Sequence, residues 1–340
     1  MKFGARIASF IFLSLLFSFH SFSKEEVKFE KIIRNPSMVY VSKILDGNVA
    51  AIDVSTDTIV SFLKTGRSPA EIAVVDVLDR AYVADLTDGT VTVVNTTNNR
   101  VEGTIDVGNP VAAAAADQAT RKVYAVDFSN GTPGTNLHVI EANSNTELAD
   151  IPIGTRLQNI ALEPGENRAY VTDFVEGIIV VNTLNDSVIT SIPLTGLPHG
   201  IAVNQDANTL YVTQLDNDAV VVIDTVAYSV VTTLKVGSRP QWIGLDILRN
   251  KAFVTNEGDG TVSVVDISTH TVLPDTIPVG VNPLTLTMHS GAAKAYVYNV
   301  GDGTISVIDT IGEVVVATIS VMFGDGFESG DTEAWSSALP

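Results

Sequence analysis

Seven near-copies of one short unit run through this chain, and they constrain its fold more than any other feature. Aligning Val-Tyr-Val and its variants puts Tyr40, Tyr82, Tyr124, Tyr170, Tyr211, Phe253 and Tyr296 in one column, at intervals of 42, 42, 46, 41, 42 and 43 residues. Each copy continues alike, most clearly in Phe253-Val254-Thr255-Asn256 followed by Asp259-Gly260-Thr261-Val262-Ser263-Val264-Val265-Asp266. A unit this short cannot bury both faces of a sheet alone, so its neighbours must cover it and the whole array folds together.

Four strands fit each unit: a (residues 201–203, for example), b carrying the aromatic, c of Val-Ser-Val-Val type, and d (residues 230–236). Asp-Gly at 46–47, 88–89, 259–260 and 302–303 closes the b–c hairpins, because these turns need backbone conformations that glycine tolerates. Strand c is almost continuously apolar, as expected of a sheet covered on both faces. Charged residues are only 17% of the chain and hydrophobic ones 45%, a balance of Val, Ile and Thr over Lys and Glu that favours strands. Four strands per repeat of about 42 residues is the period of a propeller blade. The sequence therefore predicts an all-β, seven-bladed β-propeller of four-stranded antiparallel blades within residues 24–321. Residues 112–116 are all alanine and helical by propensity, but their register puts them in strand a, where blades converge and small side chains fit. The first strand a is expected at 28–33 and the last strand d at 314–321. The ring then closes by side-chain packing between complete blades.

Tyr211-Val212-Thr213, the 259–266 segment and Gly196-Leu197-Pro198-His199-Gly200-Ile201-Ala202-Val203 resemble the YVTN family of β-propeller repeats of bacterial periplasmic and archaeal surface-layer proteins. The resemblance covers about residues 28–321 and recurs seven times. It implies a propeller that binds or scaffolds. The family has no common catalytic motif, so it assigns no catalytic residue.

The ends carry an address. Lys2 and Arg6 precede an apolar run at 7–19, and Ser21 and Ser23 are small residues at −3 and −1 of a cut before Lys24, the layout of a secretory signal peptide. That run of 13 residues falls short of the roughly 18 to 20 needed to span a bilayer. Residues 1–23 are read as a cleaved signal, which makes the mature protein periplasmic, extracellular or surface-bound with no membrane span. Cleavage removes two bases and no acids, so 18 Lys and Arg face 39 Asp and Glu for a net charge of −21. Such a field repels nucleic acid. Cysteine is absent, which excludes disulfides, thiolate metal sites and a thiol nucleophile. The acidic tail 322–340 breaks the repeat and is read as a sorting signal, the opening strand of a truncated jelly roll, or a partly disordered end.

In a propeller the d–a and b–c loops share one face, here called upper. The third residue after each aromatic forms a set there: Lys43, Asp85, Asp127, Asp173, Gln214, Asn256 and Asn299. Asp85, Asp127 and Asp173 suggest a hard cation such as Ca2+, which takes six to eight oxygens. The simpler expectation is no cofactor, each side chain tying down its own loop. Loops before strand a bring Arg67, Arg156, His199, Arg239, Gln158, Gln241 and Trp242 toward the same mouth. Arg67, Arg156 and Arg239 fall at similar positions in alternate repeats, and Trp242 is the one tryptophan of the repeat region. Guanidinium groups and a partly exposed indole suit an anionic or hydroxyl-rich ligand. Arg67, Arg156, His199, Arg239, Gln241 and Trp242 are therefore the expected ligand-binding set. The longest repeat has extra residues at 128–136, also on the upper face.

On the lower face Arg80, Lys122, Arg168, Lys251 and Lys294 share one position, opposite turns bearing Asp53, Glu141, Asp224, Asp266 and Asp309. Pairing between the two sets is the expected outcome, at about 0–1 kcal/mol a pair. The histidines outside the leader, His138, His199, His270 and His289, lie in different repeats, with no HExxH motif, nucleophile elbow or phosphate loop. The leading expectation is a secreted, non-catalytic propeller that binds an unidentified ligand or surface partner, or builds part of the cell surface. The alternative is a lactonase-like or quinoprotein-like propeller enzyme, for which His199 with Arg156, Arg239, Asp173 and Gln214 is the one compact set.

Overall fold

The structure, a computed structural model, describes residues 37–45, 47–128 and 135–321. The leader, the expected first strand a at 28–33, most of the long third-repeat loop and the tail lie outside these residues. Seven antiparallel sheets follow one another along the chain, at residues 38–64, 69–106, 111–154, 157–192, 198–235, 240–278 and 283–320. Blades 2 to 7 are four-stranded in sequential order, and blade 1 shows its b, c and d strands among the described residues. The chain is a seven-bladed β-propeller. Among the described residues its helices are five three-residue 3₁₀ turns, each ending four residues before an aromatic anchor. The alanine run is in strand a of blade 3, Val111–Asp117, as its register predicts.

Burial follows the blade from inside to outside. Strands b and c are covered almost throughout, as in Arg168–Asp173 and Gly177–Asn182 of blade 4, whereas strand d (Ser187–Ile192) faces water along most of its length. Seven hydrophobic clusters each join two neighbouring blades. One of them, around Val39, Ile52, Tyr296 and Val307, joins blade 7 to blade 1 and closes the ring. Lys43 Nζ adds a hydrogen bond to the Val321 carbonyl at 2.8 Å across that seam.

The repeat aromatic has a second duty on the lower face. Tyr40, Tyr82 and Tyr296 donate to Asn99, Asn145 and Asp57 at 2.6, 2.7 and 2.8 Å, and Tyr211 meets His270 Nδ1 at 3.0 Å. Each partner is the fifth residue of the next blade's c–d turn and has positive φ. Blade 5 has Tyr228 at that place, and there Tyr170 donates to Glu163 of its own blade at 2.6 Å.

The lower-face bases pair differently from the sequence expectation. Asp53, Asp224, Asp266 and Asp309 turn back to accept N–H groups two and three residues on. Such turns occupy the side-chain oxygen locally. Arg80, Lys122, Arg168, Lys251 and Lys294 donate instead to turn carbonyls of the next blade: Ala142, Thr183, Thr225, Thr310 and Val54. Their carboxylate partners include the fifth turn residues Asp186, Glu313 and Asp57.

Candidate ligand site at the upper mouth

In blades 2 to 7 strand a begins with a register shift against strand b, as between Pro198 and Ile201 or Pro240 and Ile243. Bulges of this kind re-aim side chains. Here they set two adjacent residues at the upper end of the inner strand: Ala70-Glu71, Ala112-Ala113, Gln158-Asn159, His199-Gly200, Gln241-Trp242 and Leu284-Thr285 in blades 2 to 7. Small residues fill this tier in blade 3, while blades 4 to 6 carry amides, imidazole and indole.

Three threonines fix the backbone of that richer arc. Thr172, Thr213 and Thr255, each two residues after its aromatic, donate to the His199, Gln241 and Leu284 carbonyls of the next blade at 2.9, 3.0 and 3.2 Å. Gly200 lets the inner strands of blades 5 and 6 approach closely. A Cβ there would stand 2.4 Å from the Gln241 oxygen.

On this frame the side chains form a continuous run. The Arg156 guanidinium lies over Phe174, 5.1 Å from the ring centre. The centre of Phe174 is 6.5 Å from that of His199, and His199 meets Trp242 edge to face at 6.2 Å. His199 Nδ1 is 3.1 Å from the Gln241 carbonyl, so Nδ1 carries the proton and Nε2 is an acceptor. Burial lowers the His199 pKa, against small opposing effects of that hydrogen bond and the Glu257 charge, and the ring is neutral at pH 7. Gln241 Nε2 and Arg239 Nε both donate to Glu257 Oε2, the latter at 3.1 Å. Among the described residues no carboxylate pairs with Arg156.

Five of the six expected ligand residues thus gather on blades 4 to 6. Arg67 does not join them. Its carbonyl accepts from Thr87, as that of Ser238 does from Gly258, whereas Arg156 and Arg239 accept from Phe174 and Glu257 in the place of Ser68. Arg67 therefore sits one residue earlier in its loop, and its side chain pairs with Asp88 Oδ1 at 2.5 Å. Phe174 and Glu257 complete the site and were missed by the sequence reading. Both stand four residues after a repeat aromatic, a column that reads Ile44, Leu86, Phe128, Phe174, Leu215, Glu257 and Val300.

The aspartates of the same face are occupied locally. Asp85 accepts from Gly66 N and from the Thr90 and Thr92 hydroxyls at 3.1, 2.9 and 2.6 Å, and burial raises its pKa against these bonds. Asp173 accepts four backbone N–H groups, from Thr155, Arg156, Val175 and Glu176. Asp127 accepts from Asn109, from the Asn136 N–H and from His138 Nε2. Asn256 and Asn299 donate to hydroxyls of their own hairpins. Among the described residues, one set of three His, Asp or Glu side chains has ligand atoms within 4.8 Å of one another: His138, Glu147 and Asp150. Asp85, Asp127 and Asp173 do not converge.

No family model matches the sequence, and no curated protein matches it. Solved structures do. The chain is similar to a chain of hydrazine synthase from Kuenenia stuttgartiensis at 14% identity, TM-score 0.73, covering 81% of this chain and 92% of that one. It is also similar to the dihydro-heme d1 dehydrogenase NirN in complex with DHE at 16% identity and TM-score 0.64, covering 85% of this chain and 65% of that one. A protein of unknown function from Desulfotomaculum acetoxidans matches at 14% identity, TM-score 0.71, with 82% and 94% covered. At these identities the likeness is one of fold, and the fold these comparisons share with the chain is the β-propeller.

Proposed function

We propose that this chain is a secreted, non-catalytic propeller of YVTN-like repeats that binds an anionic or hydroxyl-rich small ligand at its upper mouth, between blades 4 and 6. One observation carries the reading: the unbroken run from Arg156 over Phe174 and His199 to Trp242. The Phe174 and Trp242 rings offer apolar surface to a sugar or planar acid, and a guanidinium with no carboxylate partner among the described residues supplies the charge an anion needs. The net charge of −21 does not forbid this, because screening over about 8 Å leaves a ligand at the mouth governed by its nearest charges. Glu257 neutralises Arg239, so Arg156 is the principal anion contact.

Fluorescence tests the reading directly. In a Trp335→Phe background Trp242 is the sole indole of the protein, and titration with trigalacturonate, anionic and hydroxyl-rich, is expected to change its emission saturably. Maltotriose, neutral and of similar size, is expected to bind more weakly. No response to either would count against a ligand mouth. The secreted location has its own check: N-terminal sequencing of exported material should begin at Lys24, and an intact Met1 would make the apolar run an anchor.

His199 favours a second reading, a lactonase-like or quinoprotein-like enzyme, since a neutral imidazole with Nε2 as acceptor is a competent base. The solved neighbours include proteins titled as a synthase and a dehydrogenase. A hydrolase screen with metals added back separates the classes: turnover abolished by His199→Ala selects the enzyme.

A further inference from the structure

Blade 3 departs from the other blades at three positions that meet on the outer part of its sheet. In strand c (Thr135–Glu141) His138 takes the place held by Thr92, Ser263 and Ser306 in blades 2, 6 and 7. Across from it in strand d (Thr146–Gly154) stands Asp150, where Thr104, Ser191, Thr233, Thr276 and Thr318 stand in five other blades. Two steps further along the ladder the other six blades carry Ile59, Val101, Val188, Val230, Val272 and Val315, all β-branched and aliphatic. Blade 3 has Glu147. A bulge between these ladder positions puts Glu147 and Asp150 at one ring nitrogen although they are three residues apart.

The geometry has an inner and an outer half. His138 is 1% exposed, and its Nε2 bonds Asp127 Oδ1 at 2.6 Å, the counterpart of the Asp85–Thr92 bond in blade 2. The larger side chain then reaches past that bond. Its Nδ1 points to Glu147 Oε1 at 2.6 Å and Asp150 Oδ1 at 3.6 Å, and these two acids are 31% and 52% exposed. A buried histidine held through one nitrogen by a carboxylate, with the other nitrogen facing two accessible carboxylates, is the arrangement in which metal-bound histidines are oriented.

We propose that His138 Nδ1, Glu147 and Asp150 bind a zinc ion on the outer part of blade 3, with Asp127 holding the imidazole and water completing the coordination. Zinc accepts this mixture of imidazole and carboxylate at about 2.0–2.2 Å, which spaces tetrahedral donors about 3.3 Å apart. From 2.6 and 3.6 Å, the Glu147 oxygen must move out by about 0.7 Å and the Asp150 oxygen inward by about 0.3 Å, which their exposure permits. Calcium and magnesium prefer all-oxygen shells, and one imidazole with two carboxylates falls short of their usual six or more ligands. Nδ1 is within hydrogen-bond distance of the Glu147 carboxylate, which can only accept, so it carries a proton there; a Zn–Nδ1 bond replaces that N–H bond, and the proton passes to solvent. The site is separate from the upper mouth and does not depend on it.

Calorimetry of the untagged mature chain with zinc chloride at pH 7.5 is the test. The expected result is one ion per chain, release of about one proton in buffers of different ionisation heat, and little heat with calcium or magnesium. Glu147→Val and Asp150→Thr, residues the other blades carry at these places, should each weaken binding at least tenfold without lowering the melting temperature of the metal-free protein. Zinc should raise the melting temperature of the parent chain and not that of the double variant Glu147→Val/Asp150→Thr. Cobalt(II) should show the visible bands of a four-coordinate centre. Substoichiometric binding, or zinc affinity unchanged in both single variants, would overturn the assignment and leave His138 a structural ion triad.

Discussion

Truncating Tyr82 to Ala is expected to destabilise the ring by about 4 kcal/mol, and Tyr82→Phe by only about 1–2 kcal/mol. The difference separates the two duties of the repeat aromatic. The ring is fully buried in the cluster between blades 2 and 3, beside Val123 and Ile140, where its loss leaves a cavity that flanking strands cannot fill. The hydroxyl lies 2.9 Å from the Ala142 carbonyl and 2.7 Å from Asn145 Oδ1, across the blade boundary. Burial raises the phenol pKa to about 12, so the group remains a donor throughout the physiological range. A double-mutant cycle of Tyr82→Phe with Asn145→Ala should give a coupling of roughly 1 kcal/mol in urea unfolding, as expected of residues that share a hydrogen bond. Equal losses for Tyr82→Ala and Tyr82→Phe would show that the inter-blade hydrogen bond, and not the packed ring, holds this boundary.

Glu71→Gln is expected to stabilise the protein by up to about 4–5 kcal/mol at pH 8.5 and to leave it almost unchanged at pH 4. Glu71 stands on strand a of blade 2 (Pro69–Val75), in the same tier as Trp242. Its Oε2 is buried without a hydrogen-bond partner, and burial pushes its pKa to about 8 although the Ala114 N–H opposes the shift. Because the folded pKa lies above the unfolded value near 4.5, the neutral acid fits the fold and the carboxylate does not. Stability contributed by this group is complete below about pH 4.5 and is lost as pH rises to about 8. Glutamine has no charge to lose, so the difference between the variant and parent stability curves should open across that window. Parallel curves would mean that Glu71 reaches solvent in the folded state.

The architecture was legible because seven repeats report the same answer independently. The aromatic column located strand b, and its register overruled the helical propensity of residues 112–116. Side-chain pairing was less legible, since it depends on residues outside the repeat signature. The acid that opens a c–d turn, as at Asp53, Asp224, Asp266 and Asp309, reads as the partner of the lower-face bases, but its oxygen caps its own turn, and the fifth turn residue makes the contact to the preceding blade. Arg67 appeared equivalent to Arg156 and Arg239, yet Arg67 precedes its proline by two residues and Arg239 by one. That shift of one residue directs Arg67 to Asp88. Phe174 and Glu257 were overlooked because their column has no common residue type. Glu147 was detectable in principle, as an acid where every other repeat has valine or isoleucine. It acquires meaning only once the bulge brings it to His138.

The upper-mouth account is tested most directly by calorimetric titration of the mature chain with trigalacturonate, comparing substitutions on opposite faces. Arg156→Ala and Trp242→Ala are each expected to weaken binding at least tenfold, about 1.4 kcal/mol, while Arg168→Ala and Lys251→Ala on the lower face leave it within twofold. Affinity unchanged by both upper-mouth substitutions and lost with Arg168→Ala or Lys251→Ala would contradict the account and move the binding site to the opposite face.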